Sequence, residues 1–219
     1  MIVAIDTETT GLGHKAKPRR ADGIVEVGTA WRDQRNRLQT WSSLCMPDRK
    51  YLEGGRTEKA FDISGITEKE ILGAPKDTLV AKSLKKKLED IGQASGKQIR
   101  LTAYNVDFDA PFLSKKPWKI PRSMWGKCSM MLATGYFDEC VSLSAALKRL
   151  RLRKPKGSFH NAKADAAAAL LVYERLSGNT LRKRMTWRAL LSKPVVMINV
   201  RSSQPQAVPS PRLALPCDI

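Results

Sequence analysis

Apolar, β-branched residues run from Ile2 to Ile5 and then give way to Asp6-Thr7-Glu8. A short run of this kind predicts a buried strand. Thr10, Gly11 and Leu12 turn the chain, and residues 13–23 (GHKAKPRRADG) form a polar, basic loop. Ile24 to Trp31 (IVEVGTAW) and Leu38 to Leu44 predict two more strands, completing an antiparallel meander. Thr67-Glu68-Lys69-Glu70 has capping-box spacing, which predicts a short helix stopped by Gly73 and Pro75. Leu79, Val80, Leu84, Leu88 and Ile91 recur at helical spacing over 78–92. Ile99 to Tyr104 predicts another strand, and a helix carrying Phe112 and Leu113 is expected to begin near Asp109. Residues 142–152 (SLSAALKRLRL) and 162–176 (AKADAAAALLVYERL) predict two further helices, the second rich in strong helix formers.

Strands first, then helices mixed with strands, predict an α/β layered domain over about residues 1–177. Beyond Ser177-Gly178-Asn179 the character changes. LRKRMTWRALL is a basic helical candidate, VVMINV a candidate strand, and Gln204 to Ile219 holds Pro205, Pro209, Pro211 and Pro216. Residues 178–219 thus read as a separate basic, Pro-rich C-terminal extension, suited either to bind a protein partner or to dock on the domain. There is no internal repeat.

Composition narrows the function. A chain of 219 residues with 42% hydrophobic content builds one full core with an appendage, or at most two small domains. No stretch approaches the roughly 18 apolar residues that span a bilayer. The start, MIVAIDTETTG, carries acids and lacks the features of a secretion signal, so a cytoplasmic location is expected. Cys45, Cys128, Cys140 and Cys217 are far apart, without metal-ligand spacing, and are expected to be reduced thiols. The net charge of +18 points to a polyanionic partner. Nucleic acid fits better than a membrane surface, because no basic amphipathic helix ends in Trp or Phe.

Three local patterns carry candidate chemistry. In Asp6-Thr7-Glu8, residues i and i+2 of a strand project from one face, so two carboxylates stand side by side. Such a pair repels itself unless a cation sits between, and hard oxygen ligands select Mg²⁺ or Mn²⁺. Asn105-Val106-Asp107-Phe108-Asp109 lies where a strand meets a helix start, and an ordinary Asp N-cap would also explain it. His160-Asn161-Ala162-Lys163-Ala164-Asp165 places an acid on a helix and a histidine just ahead of it. A surface histidine and a first-turn acid complementing the helix dipole are the plain alternatives.

Together, IDTETTGL, N-x-x-F-D and H-x-x-x-x-D resemble the DEDDh exonucleases of the DnaQ-like proofreading superfamily, over roughly residues 1–177. An Ile66-Thr67 element before a short helix belongs to the same resemblance, and the short meander is most similar to the exonuclease X branch. The resemblance implies a ribonuclease H-like fold, a central mixed sheet flanked by helices. It implies a 3′–5′ exonuclease releasing 5′-mononucleotides with two Mg²⁺ or Mn²⁺ ions. Asp6, Glu8 and Asp165 would hold one ion, Asp6 and Asp109 the other, and His160 would be the general base. Asp109 is preferred to Asp107 because it follows Phe108 in the F-D pair. Thr7, Thr9, Leu12, Asn105 and Phe108 are the implied contacts to the terminal nucleotide, although core packing suits Phe108 equally. Many relatives carry histidine where this chain has Tyr104 and Ser64.

Three basic clusters suit phosphate contact. They are Lys15, Lys17, Arg19 and Arg20; Lys148, Arg149, Arg151, Arg153, Lys154 and Lys156; and Arg182, Lys183, Arg184 and Arg188. Single-stranded DNA or DNA 3′ ends are the favoured substrate through the resemblance. An exoribonuclease, and a nucleic-acid-binding accessory protein without catalysis, are the alternatives.

Overall fold

The computed structural model describes residues 1–11, 22–52, 55–153, 155 and 160–178. Leu12, the Lys15–Arg20 cluster, Lys154, Lys156 and everything expected of residues 179–219 lie outside the described residues. The predicted meander forms: β1 (Ile2–Thr9), β2 (Ile24–Arg32) and β3 (Leu38–Leu44) are consecutive antiparallel neighbours. A fourth strand, β4 (Arg100–Thr102), joins parallel to β1, giving the order β3-β2-β1-β4 and a mixed sheet. β1 is therefore central, and both edges of its backbone are paired over its first residues.

The helices are α1 (Gly55–Ser64), α2 (Glu68–Leu72), α3 (Asp77–Ser95), α4 (Val106–Ser114), α5 (Ser129–Phe137), α6 (Leu143–Arg149) and α7 (Ala162–Ser177). The capping box at α2 is present, with Thr67 and Glu70 bonding reciprocally. Strand parity divides the core. Val3 and Ile5 pack with Val80, Leu84, Leu88 and Ile91 of α3 and Phe112 and Leu113 of α4 on one face. Ala4 and Ala30 meet the alanine-rich face of α7 on the other, where α5 and α6 close the layer. Ribonuclease H-like architecture, a mixed sheet between helical layers, is what the chain adopts.

Local differences from the sequence reading have local causes. The strand expected to run to Tyr104 stops at Thr102, because the carbonyls of Ala103 and Tyr104 accept from Ser129 and Met130 at the start of α5. Free N–H groups of a helix start need acceptors, and they divert this chain from the ladder. α4 begins at Val106 rather than near Asp109, which falls in its first turn. α6 ends at Arg149, and Arg151 turns the chain with φ 53°. α5 carries no amphipathic signal; its Gly135 alone costs about 1 kcal/mol against Ala. Cys45 and Cys128 are free thiols, but Cys140 is disulfide-bonded, against the expectation of four reduced cysteines. Spacing along a chain does not report which thiols meet in space. Among the described residues, no helix is long and apolar enough to cross a membrane.

Candidate active site

The C-terminal end of β1 gathers the chemistry. Asp6 and Glu8 project from the α7 face of the strand, each half-buried. Ladder pairing on β2 sets Asp6 opposite Gly28 and Glu8 opposite Glu26. Thr7, between them, points to the other face and is buried. Its hydroxyl donates to Asp109 Oδ1 at 2.8 Å, so the strand reaches the α4 carboxylate through Thr7. Asp109 is 3% exposed, while the Asp107 side chain is 83% exposed and lies 3.5 Å from the Arg122 guanidinium. The helix turns one acid inward and the other out.

α7 supplies the third part. Asn161 is its N-cap, accepting from the Ala164 N–H. Asp165, one turn in, is 9% exposed, and its Oδ2 accepts the His160 N–H at 3.0 Å. His160 has φ 62° and an exposed side chain. A left-handed non-glycine residue costs roughly 1–3 kcal/mol and persists only where its surroundings enforce it. Glu8, His160 and Asp165 each offer a ligand atom, all within 4.8 Å of one another.

Electrostatics follow from the crowding. Burial, then the charges of Asp109, Glu8, Asp165 and Glu26, hold the Asp6 carboxyl well above the usual carboxylate range. Glu8 is pushed up to about 8, by burial first and then by Asp165, Glu26 and Asp109. Asp109 is raised to about 7 by burial, against the opposing hydrogen bonds from Thr7. Burial also raises Glu26, against hydrogen bonds from Ala162 and Ser42. Carboxylates that disfavour one another's ionisation are what a divalent cation relieves. The donor set of carboxylate oxygens and an imidazole fits a divalent cation.

Of the residues expected to touch substrate, Thr7 has its hydroxyl committed to Asp109 and holds the metal-ligand candidates in register instead. Thr9 donates to the Gly11 carbonyl, and Asn105 is the N-cap of α4 without a side-chain capping bond. Phe108 is half-buried against the core, its ring centroid 5.3 Å from that of Phe112. Thr10 pairs with Gly23 through backbone and hydroxyl, closing the base of the loop after β1. Tyr104 and Ser64 spend their hydroxyls within the fold, on the carbonyls of Val141 and Ala60. In the second basic cluster, Lys148, Arg149, Arg151 and Arg153 are exposed, with Arg149 paired to Glu139.

Sequence reasoning missed Glu26. It is 4% exposed and accepts from the Ala162 N–H at 3.1 Å and from Asn161 Nδ2 at 3.4 Å. The available signal was an acid inside the otherwise apolar run IVEVGTAW, at the position that pairs with Glu8.

Comparison with known proteins gives the same picture. A family model, the RNase_T exonuclease, matches residues 3–173. Comparison with curated proteins returns no match. Among solved structures, exonuclease X in complex with 5′ overhanging duplex DNA is 24% identical with a TM-score of 0.53, over 82% of this chain and 93% of that one. S. pombe Pop2p in a form with Mg²⁺ and Mn²⁺ bound is 14% identical with a TM-score of 0.62, over 82% of this chain and 84% of that one. The nuclease domain of 3′hExo, a DEDDh family member bound to rAMP, is 15% identical with a TM-score of 0.54, over 83% of this chain and 92% of that one. Because the family match runs from the first buried residue of β1 into the last turns of α7, it takes in nearly all of the described core, and this chain belongs to the RNase_T exonucleases.

Proposed function

We propose that the protein is a 3′–5′ exonuclease that removes 5′-mononucleotides from DNA 3′ ends with two divalent cations and a histidine base. The observation that carries this is the convergence of Asp6, Glu8, Asp109, Asp165 and His160 from a strand and two helices onto one strand end. Asp6, Glu8 and Asp165 would hold one cation, and Asp6 and Asp109 the other. Bound there, Mg²⁺ or Mn²⁺ supplies Lewis acidity to the attacking water and charge neutralisation to the leaving 3′ oxygen. His160 takes the water proton on an imidazole nitrogen; its exposed side chain beside Glu8 and Asp165 suits that task. Thr7 keeps Asp109 oriented. The exposed cations of residues 148–153 precede His160 along the chain and suit the phosphates of the remaining strand. The basic residues Arg182, Lys183, Arg184 and Arg188, outside the described residues, would add affinity for nucleic acid or for a protein partner.

DNA is preferred to RNA through the likeness to exonuclease X, whose structure contains duplex DNA. Exoribonuclease action is the second reading, favoured by the rAMP in the DEDDh relative. The test is to incubate end-labelled single-stranded DNA, overhanging duplex DNA and RNA with Mg²⁺, Mn²⁺ or EDTA. Metal-dependent mononucleotide release from the 3′ end, lost in Asp165→Ala by at least about a thousandfold or ~4 kcal/mol of barrier, is expected. Binding without cleavage under any metal refutes catalysis and leaves the accessory-protein reading. Faster release from RNA than from DNA reverses the substrate assignment.

A further inference from the structure

Glu26 is a carboxylate that the chemistry just described does not use. A buried carboxylate is costly unless its oxygens are hydrogen-bonded. Here Oε2 accepts the Ala162 N–H and Oε1 accepts Asn161 Nδ2. Both donors belong to the start of α7, where unsatisfied N–H groups carry partial positive charge. Two residues along the same face of β2, Gly28 lets that start approach closely. A Cβ at Gly28 would lie 2.2 Å from the carbonyl carbon and oxygen of Ala162. Positions 26 and 28 therefore clamp the first turn of α7 onto the sheet, one by charge and hydrogen bonds, the other by the lack of a side chain.

The clamp bears on His160, which directly precedes Asn161. Its left-handed backbone is held on one side by the bond from its N–H to Asp165, and on the other by the Asn161–Ala162 segment that Glu26 grips. We propose that Glu26 is a positioning residue for His160: it fixes the Asn161–Ala162 backbone so that the imidazole stays beside Glu8 and Asp165. This rests on the reading of His160 as the proton acceptor. Glu26 is not a metal ligand in this account: it lies outside the group of ligand atoms that Glu8, His160 and Asp165 bring together, and its oxygens accept from Ala162 and Asn161.

A double-mutant cycle on the full chain tests the proposal. Glu26→Gln keeps the side-chain volume and one acceptor oxygen, but presents an amide N–H to the Asn161 donor. At saturating substrate and Mn²⁺, and well below the unfolding midpoint, kcat should fall roughly 10–100-fold, with KM and the Mn²⁺ half-saturation little changed. In a His160→Ala background the same substitution should cost little further, since a residue acting through His160 has nothing left to position. Undiminished kcat in Glu26→Gln overturns the proposal. So does recovery of activity with excess Mn²⁺, which would make Glu26 a ligand. An equal fold loss in both backgrounds makes its role merely structural and also overturns the proposal. If Glu26→Gln loses its fold, Asn161→Asp reads the same contact from the other side. It keeps the N-cap but sets two carboxylates against each other, and should lower kcat in the same His160-dependent way; full activity there refutes the clamp. Failure of the underlying reading looks different: full activity in His160→Ala removes the base assignment and this proposal with it.

Discussion

The site has a strand-borne half and a helix-borne half, and they are held by different forces. Asp6 and Glu8 sit on β1, where pairing with β2 continues to Thr9 and fixes their spacing through backbone hydrogen bonds. His160 and Asp165 sit at the start of α7, whose placement on the sheet depends on Glu26, Asn161 and the room left by Gly28. Thr7 links the first half to Asp109 in a buried contact. The backbone ladder makes the strand half insensitive to side-chain changes around it. The helix half ends in an exposed, left-handed histidine and depends on a few polar contacts. Under the proposed mechanism, that division would give fixed charge for cations on one side and a proton acceptor open to substrate on the other.

Removing the imidazole should have the largest effect. His160→Ala is expected to lower kcat by about 10²–10⁴, the usual worth of general acid–base catalysis, while Mn²⁺ half-saturation stays near the wild-type value. Steady-state rates across a Mn²⁺ titration check this, and a collapse of metal affinity would assign His160 to the strand half's task instead.

Gly28→Ala separates the halves by packing alone. Its added Cβ collides with backbone at Ala162 and leaves the spacing of Asp6 and Glu8 untouched. A destabilisation of about 1–3 kcal/mol is expected for such overpacking, or a fall in the melting midpoint of roughly 2–4 °C per kcal/mol. An unchanged midpoint would mean that α7 seats less tightly than its contacts indicate.

The strand half should show in the pH dependence of the metal-free protein. With its pKa raised from 4.5 to about 8, the folded Glu8 keeps a proton that the unfolded chain releases. Between those values stability is greatest at the acid end and is lost as pH rises. Thermal unfolding in EDTA at pH 5.5 and 8.5 should show a drop that is smaller in Glu8→Gln and is reversed by Mn²⁺, which binds the ionised form. Equal pH dependence in wild type and Glu8→Gln would locate the effect elsewhere.

The smallest effect belongs to Asp107→Asn. That side chain is exposed and paired only at the surface with Arg122, so stability should move by less than about 0.5 kcal/mol and the rate should hold. A large rate loss, measured beside Asp109→Asn, would reverse the inward and outward roles of these two acids.

What the sequence determined by itself was local. Strand parity put Asp6 and Glu8 on one face, the Thr67–Glu70 box started α2, and the alanine-rich run of 162–176 became α7 nearly end to end. The ordered carboxylate pattern carried the family as well. Periodicity and capping act within a few residues, so they can be read in one dimension. The F-D pair already favoured Asp109 over Asp107, and burial agrees; tertiary structure alone decided that Thr7 serves Asp109 and that Glu26 belongs to the site at all. Each of those depends on a contact between residues far apart in sequence, roughly 100 positions for Thr7 and Asp109. A buried acid in an apolar strand is ambiguous until its partner is known, and that partner is the start of a helix more than 130 residues away.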